Sequence, residues 1–159
     1  MSWYDFLLFV HVLGGFAVLG ASAWFWALTI TSMRTNRAST VLTLGRLIPP
    51  ATVVVVFGSI VTLLFGIWLV LYVDGYEIFE FWIIGSIVLW VIASETGRRG
   101  GQYHQQAIPA LVDSVQSGRD EITPEWRALP SNRTALTLDL VSSVAVLLIL
   151  VLMIFKPGV

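Results

Sequence analysis

One histidine, His11, lies within the first long apolar stretch of the chain, and two glycines, Gly14 and Gly15, follow one helical turn later. In a helix, spacings of three and four residues bring these positions onto one face. An imidazole inside a membrane-spanning segment is costly unless it has a partner or a function. Histidine is a frequent axial ligand of haem iron, and nearby glycines would leave room for the macrocycle. The pattern therefore makes His11, Gly14 and Gly15 a candidate haem or metal site.

A structural role explains the same residues. In that interpretation, a neutral imidazole is hydrogen-bonded to a hydroxyl or carbonyl group of a neighbouring helix, and the glycines allow close packing. The second apolar stretch offers a suitable surface, because Gly58, Thr62 and Gly66 follow one another at intervals of four. Residue types alone leave both roles of His11 open.

Two carboxylates, Glu95 and Asp139, lie near the ends of later apolar stretches. They could flank a proton or cation path, but a charge at a membrane interface costs little when it is paired. Arg99 stands four residues after Glu95, which is the favourable order for a helical ion pair. Arg133 precedes Asp139. Pairing with arginines is therefore the predicted role of both carboxylates.

Lys156 follows the last apolar stretch, roughly level with His11. Its ammonium group could meet a haem propionate or a lipid phosphate. The simpler prediction is an interfacial cation whose alkyl chain lies along apolar surface while its charge reaches the headgroups.

The composition defines the class of protein that must position these residues. Of 159 residues, 57% are hydrophobic and 12% are charged, and the charges cluster between long uncharged runs. Runs of this length cross a bilayer as helices. The absence of cysteine excludes disulfides, thiolate metal sites and thiol catalysis. No nucleophile–base, P-loop or metalloprotease motif occurs, and no basic, aromatic-interleaved patch predicts nucleic-acid binding.

Hydropathy predicts four membrane spans at about 4–32, 47–73, 77–97 and 135–155. The expected fold is a single all-α domain over residues 1–159, a polytopic four-helix bundle. The triplet Ala21-Ser22-Ala23 is similar to a signal-peptidase site, but the apolar stretch continues beyond it. The first span is therefore predicted to stay uncleaved.

Arginines mark two of the three predicted loops. They are Arg34, Arg37 and Arg46 in the first loop, and Arg98, Arg99, Arg119, Arg127 and Arg133 in the third. Since Lys and Arg concentrate on the cytoplasmic side of membrane proteins, both loops are predicted to be cytoplasmic and both termini outside. The expected location is the inner (plasma) membrane.

The second loop is very short, so spans two and three are predicted to form an antiparallel hairpin that turns at Asp74-Gly75. Gly97, Gly100 and Gly101 are predicted to end span three, and the third loop covers about 98–134.

Further along the third loop, apolar residues recur on one helical face: Ile108, Leu111, Val112 and Val115. This pattern predicts a short amphipathic helix on the inner membrane surface. Thr123-Pro124 is typical of another helix start. The loop is interpreted as a tether, with a docking site for a partner as the alternative.

The second histidine, His104, follows Arg98 and Arg99 and is therefore expected on the cytoplasmic side as a solvated loop residue. His11 is expected in the outer half of the bilayer. The two histidines are therefore predicted not to share one metal within a monomer.

Three motifs carry a resemblance to a known family. They are Phe-Val-His11-Val-Leu-Gly14-Gly15 in span one, Gly58-x-x-x-Thr62-x-x-x-Gly66-x-Trp68-Leu in span two, and Leu-Met153-Ile-Phe-Lys156-Pro157-Gly158 at the end. Nearly the whole chain resembles a bacterial predicted integral-membrane family of unknown function with a four-helix domain and a Lys-Pro-Gly-type terminus.

More distantly, the first two spans are similar to the copper-resistance D membrane domain and to the haem-containing four-helix protoporphyrinogen oxidase of bacteria. The latter resemblance implies a first-span histidine as haem ligand, which corresponds to His11. It also implies a functional lysine in a different stretch, which Lys156 does not match.

The leading hypothesis is a non-enzymatic membrane protein of uncharacterised role. It would bind haem b through His11 and act in the bilayer as a homo-oligomer or as a subunit of a larger complex. The alternatives are a haem-dependent oxidoreductase of the protoporphyrinogen-oxidase type and a copper-uptake module.

Overall fold

The computed structural model describes residues 2–73, 75, 79–106, 108–118, 120–122 and 133–157. Six helices form within these ranges: α1 (Trp3–Arg34), α2 (Ala38–Gly45), α3 (Ile48–Tyr72), α4 (Phe81–Gln106), α5 (Ile108–Gln116) and α6 (Arg133–Phe155). Four segments, which contain α1, α3, α4 and α6, are long and apolar enough to cross a membrane. The predicted all-α fold with four membrane helices is confirmed.

The ends of the first two membrane helices follow from local chemistry. At the start of α1, the Asp5 N–H donates to the Ser2 hydroxyl over 3.1 Å, and the Ser2 N–H donates to the Asp5 carboxylate over 2.8 Å. This capping box satisfies two backbone donors that a helix start leaves unpaired. Prolines occupy the first turn of α3, where a missing N–H costs nothing.

The third membrane helix departs from its predicted end. Helix α4 continues through Gly97, Gly100 and Gly101 to Gln106, nine residues past the expected boundary at 97. A Cβ at Gly97 would stand 3.0 Å from the Ser142 hydroxyl, and one at Gly100 would collide with the Asp139 carboxylate. These two glycines therefore admit side chains of α6, and tertiary packing outweighs their low helix propensity.

The membrane helices pack as two pairs, α1 against α3 and α4 against α6. Among the described residues, α3 and α4 have few contacts, so the predicted hairpin of spans two and three is not a packing unit. Its turn residue Asp74 lies outside the described residues. Hydrogen bonds between side chains link the pairs: Trp26 donates to Ser143 over 2.8 Å, and Trp90 donates to Ser59 over 2.7 Å.

Large apolar side chains cover the outside of both pairs. Phe16, Phe57 and Leu71 are 67%, 69% and 66% exposed, and Phe155 is 75% exposed. Such a surface would be unstable in water, whereas lipid hydrocarbon is as apolar as the side chains themselves. The exterior therefore matches a protein embedded in a bilayer.

A small hydrophobic core forms at the arginine-rich end of the bundle, which we define as the end carrying Arg34, Arg46 and Arg98. There α2 packs against α5, with Ala38 fully buried and Leu111 2% exposed. The predicted amphipathic helix is present as α5, but its apolar face contacts α2, which the sequence does not predict. The second predicted helix start, Thr123-Pro124, lies outside the described residues.

The third loop is also fastened to α2 through Asp120. Its carboxylate accepts the Ser39 N–H over 2.8 Å and the Ser39 hydroxyl over 3.0 Å. These two hydrogen bonds, with a smaller contribution from the charge of Arg37, lower the pKa of Asp120 below its usual value. The first and third loops therefore form one layer across the arginine-rich end.

Candidate functional site

His11 lies between α1 and α3, and its imidazole is fixed by a backbone group. Nδ1 stands 2.8 Å from the Thr62 carbonyl oxygen. Because a carbonyl only accepts, Nδ1 carries the proton and donates. In the neutral ring Nε2 is then unprotonated, and no hydrogen bond to Nε2 occurs within the part of the chain that the structure describes.

Gly66 admits one edge of the imidazole. A Cβ at this position would stand 2.8 Å from Cε1, 3.0 Å from Nδ1 and 3.9 Å from Nε2 of His11. The Nδ1–Cε1 edge therefore faces α3, and Nε2 lies on the edge farther from Gly66. The ring is oriented by a hydrogen bond and by the shape of the neighbouring helix.

The crossing of α1 and α3 depends on small residues next to His11. A Cβ at Gly14 would collide with the Thr62 hydroxyl and stand 2.9 Å from the Gly58 carbonyl oxygen. A Cβ at Gly58 would in turn stand 3.0 Å from the Ala17 Cβ. The small-residue ridge of span two therefore packs into α1, as the structural interpretation of these glycines expects.

Gly14 and Gly15 have different surroundings although they are neighbours. Gly14 is buried in the helix crossing, whereas no described atom lies within 4 Å of where a Cβ on Gly15 would stand. Space beside His11 is therefore available on the Gly15 side and is already filled on the Gly14 side.

An aromatic cluster lies one to two turns from His11, at the end opposite the arginines. Trp3 and Phe6 of α1 stack with their ring centroids 5.3 Å apart. Trp3 meets Trp68 at 5.7 Å, and Phe6 meets Phe65 at 6.4 Å. Aromatic pairs at these distances contribute beyond their buried area. The sequence signal for this cluster is a spacing of three residues on each helix, from Trp3 to Phe6 on α1 and from Phe65 to Trp68 on α3.

Glu95 belongs to an exposed ion-pair group away from His11. Its carboxylate accepts from Arg99 over 2.6 Å, as the four-residue spacing predicts, and also from Arg98 over 2.8 Å. All three residues lie on α4, so the group does not connect helices. The contacts assign Glu95 a local role at the arginine-rich end.

Asp139 pairs with a histidine, contrary to its predicted pairing with arginines. Its Oδ2 stands 2.8 Å from Nε2 of His104, and the side chains are 22% and 21% exposed. His104 is therefore not a solvated loop residue. The continuation of α4 through Gly97 and Gly100 carries His104 back against α6. The sequence signal for this contact is the spacing of three and four residues from Gly97 to Gly100 to His104, because it places all three on one helical face.

Lys156 contacts the other helix pair. It follows the last residue of α6, and its Nζ lies 5.5 Å from the ring centroid of Trp82 on α4, within the range of a cation–π interaction. The Trp82 indole N–H donates to the Glu80 carboxylate. This contact of Lys156 therefore belongs to the α4/α6 pair, whereas His11 belongs to the α1/α3 pair.

A bare metal ion has no donor set in the described part of the chain, where no group of three or more His, Asp or Glu side chains is placed to hold one. His11 supplies a single ring nitrogen. A metal already held by a macrocycle needs no more than this from the chain, whereas a protein-bound zinc or copper ion takes three or four ligands.

Four apolar helices, polar contacts between them and an apolar exterior define a multi-pass integral membrane protein. The sequence profile of the predicted integral membrane protein family DUF2269 matches residues 5–157, and the chain belongs to this family. No curated protein and no solved structure matches the chain at a significant level. The predicted resemblance to an integral-membrane family of unknown function is confirmed. The resemblances to the copper-resistance domain and to the oxidase stay predictions.

Proposed function

We propose that this membrane protein binds haem b, with Nε2 of His11 as an axial ligand of the iron. One observation carries the proposal: Nδ1 of His11 donates to the Thr62 carbonyl oxygen over 2.8 Å. Metal-ligating histidines in proteins nearly always donate their other ring N–H in this way, which fixes the tautomer and the ring orientation. The haem would supply the redox or ligand-binding chemistry of its iron, while the chain holds and orients one ligand.

The donor chemistry favours haem over a bare ion. Among the described residues no group of three or more His, Asp or Glu side chains could hold a bare ion, whereas haem provides four nitrogens of its own and needs one more from His11. Any further protein ligand would have to come from outside the described residues or from a second chain. A copper-uptake role would need further donors, which the described residues do not bring to His11.

The surface around His11 suits a flat apolar group. Leu8 lies three residues before it and Gly15 four residues after it, so both neighbour it on the helix surface. Leu8 is 37% exposed, and Gly15 leaves open space. Gly14 would have an indirect role, since it holds α1 close to α3 and so places the Thr62 carbonyl within reach of Nδ1. A haem on this surface would be covered by lipid, by a second copy or by another subunit of a membrane complex.

Optical spectroscopy tests the proposal. Wild-type protein purified in mild detergent from haem-replete cells is expected to show a Soret band, and the pyridine haemochrome spectrum is expected to identify haem b. His11→Ala should remove the band, and imidazole added to His11→Gly should restore part of it. The matched control His104→Ala removes the other histidine and should keep the band, because Nε2 of that residue already contacts Asp139.

Three outcomes would contradict the proposal. A colourless wild-type protein would leave His11 with its structural role alone. Loss of the band in His104→Ala but not in His11→Ala would move the haem to the arginine-rich end. Bound copper without a Soret band would favour the copper-uptake alternative. The oxidoreductase alternative requires, besides the band, oxidation of a porphyrinogen substrate that His11→Ala abolishes.

A further inference from the structure

A cavity of about 520 Å³ lies at the arginine-rich end, away from His11. Its walls are the last turns of α1, the short helices α2 and α5, and the end of α4. Most of its surface is apolar, with Leu28, Leu42 and Val112 among the lining residues. Its volume falls within the range of about 300–1,000 Å³ that is typical of small-molecule sites.

Helix α5 and the loop after it cover the cavity. Helix α5 is held over it by the contact of Leu111 with Ala38 on α2, and these side chains are 2% and 0% exposed. The loop after α5 is fastened to α2 through Asp120 and Ser39. The space is therefore bounded by packed elements and is distinct from the apolar exterior of the membrane helices.

Arg46 carries the one formal charge among the described lining residues of the cavity, and it is exposed. His104 also lines the cavity, with Nε2 held by Asp139. Among the described lining residues none is Asp or Glu. The other polar groups are the side chains of Thr29, Ser32 and Gln116, each of which can donate a hydrogen bond. A ligand here needs an apolar body and an anionic, hydrogen-bond-accepting head.

We propose that this cavity binds an anionic phospholipid of the surrounding bilayer, with one acyl chain among Leu28, Leu42 and Val112 and the phosphate at Arg46. Charge complementarity supports this occupant over a zwitterionic lipid, since the lining offers a cation and donors without a carboxylate. Basic pockets between membrane helices bind anionic headgroups in this manner. The lipid would join α1, α2, α4 and α5 at the layer formed by the first and third loops.

Native mass spectrometry of the full-length protein tests this site. Phosphatidylglycerol, phosphatidylcholine or palmitate is added at equal concentration to detergent micelles, and the fraction of protein carrying one ligand gives an apparent affinity. Wild-type protein should retain phosphatidylglycerol in preference to the other two. Arg46→Gln should weaken its binding about fivefold, the effect of one lost cation on an anionic headgroup. Arg34→Gln is the matched control, because Arg34 does not line the cavity, and should bind as wild type.

A second pair of variants tests where the acyl chain lies. Val112→Trp fills the cavity and should abolish phosphatidylglycerol retention. Val53→Trp adds the same bulk on an α3 position that is 67% exposed and should keep it. Equal retention of phosphatidylcholine, equal weakening in Arg34→Gln, or wild-type retention in Val112→Trp would overturn the proposal. Retention of palmitate alone would assign the cavity to a free fatty acid and would overturn it as well.

Discussion

The two helix pairs use the same device to bring helices together, but their histidines have different partners. In the α1/α3 pair, Gly14 receives the side chain of Thr62. In the α4/α6 pair, Gly100 receives the carboxylate of Asp139. In both pairs a missing Cβ lets a polar side chain approach a helix backbone, which is the usual role of small residues between membrane helices.

The difference lies in the group that each imidazole contacts. Nδ1 of His11 donates to a backbone carbonyl, a neutral acceptor that costs little inside an apolar bundle. Nε2 of His104 contacts a carboxylate at the arginine-rich end. A carbonyl acceptor orients the ring and leaves Nε2 available for a ligand, whereas the carboxylate uses Nε2 to join the ends of two helices. The first arrangement is suited to binding a ligand at Nε2, and the second is suited to holding α4 against α6.

The largest effect on stability is expected at Gly14, where the backbones of α1 and α3 approach closely. In Gly14→Leu the new side chain would collide with Thr62 and with the Gly58 carbonyl, which cannot move without shifting α3. We expect a loss of about 3 kcal/mol in the free energy of unfolding, at the upper end for overpacking. Thermal unfolding in detergent measures it. Gly20→Leu is the control, because no described atom lies within 4 Å of its Cβ position. Equal stability of the two variants would show that α1 and α3 are not packed this closely.

A smaller effect on stability is expected when the contact between His104 on α4 and Asp139 on α6 is removed. Asp139→Ala leaves His104 without its carboxylate partner. The pair is about one-fifth exposed, so we expect a loss of about 1–2 kcal/mol, the cost of leaving a partly buried hydrogen-bonding group without its partner. Glu95→Ala, which breaks an exposed group on α4 alone, should cost less. Thermal unfolding of both variants measures the difference, and a larger loss in Glu95→Ala would reverse the roles assigned to these carboxylates.

The four membrane helices could be predicted because hydropathy is a property of each segment by itself. Length and apolar content place α1, α3 and α6 within a few residues of their predicted bounds. The end of α4 could not be predicted in this way. Gly97 and Gly100 are typical of a helix end when considered alone, and their actual role depends on Ser142 and Asp139, far along the chain.

The residues of the candidate site could be identified from the sequence, whereas the groups that they contact could be identified less well. His11 and the ridge of Gly58, Thr62 and Gly66 could each be identified from spacing. The carbonyl that accepts from Nδ1 could not be, since backbone groups leave no trace in residue types. The sequence does not predict helix α2, because its apolar face is short and forms a core only together with α5. The contacts between helices are therefore the features that could be identified only from the structure.

The smallest expected effect separates the two sides of His11. Gly66→Ala places a Cβ 2.8 Å from Cε1 of the imidazole, so the ring must move away from α3. We expect a net loss of about 1 kcal/mol in the free energy of unfolding, because the overpacking exceeds the gain in helix propensity. Gly15→Ala has the same gain and no clash, so it should be neutral or slightly stabilising. If haem is bound, Gly66→Ala should also shift or weaken the Soret band, since it moves the hydrogen bond that orients the ligand. A lower stability in Gly15→Ala than in Gly66→Ala would mean that the open side of His11 is occupied by a group outside the described residues.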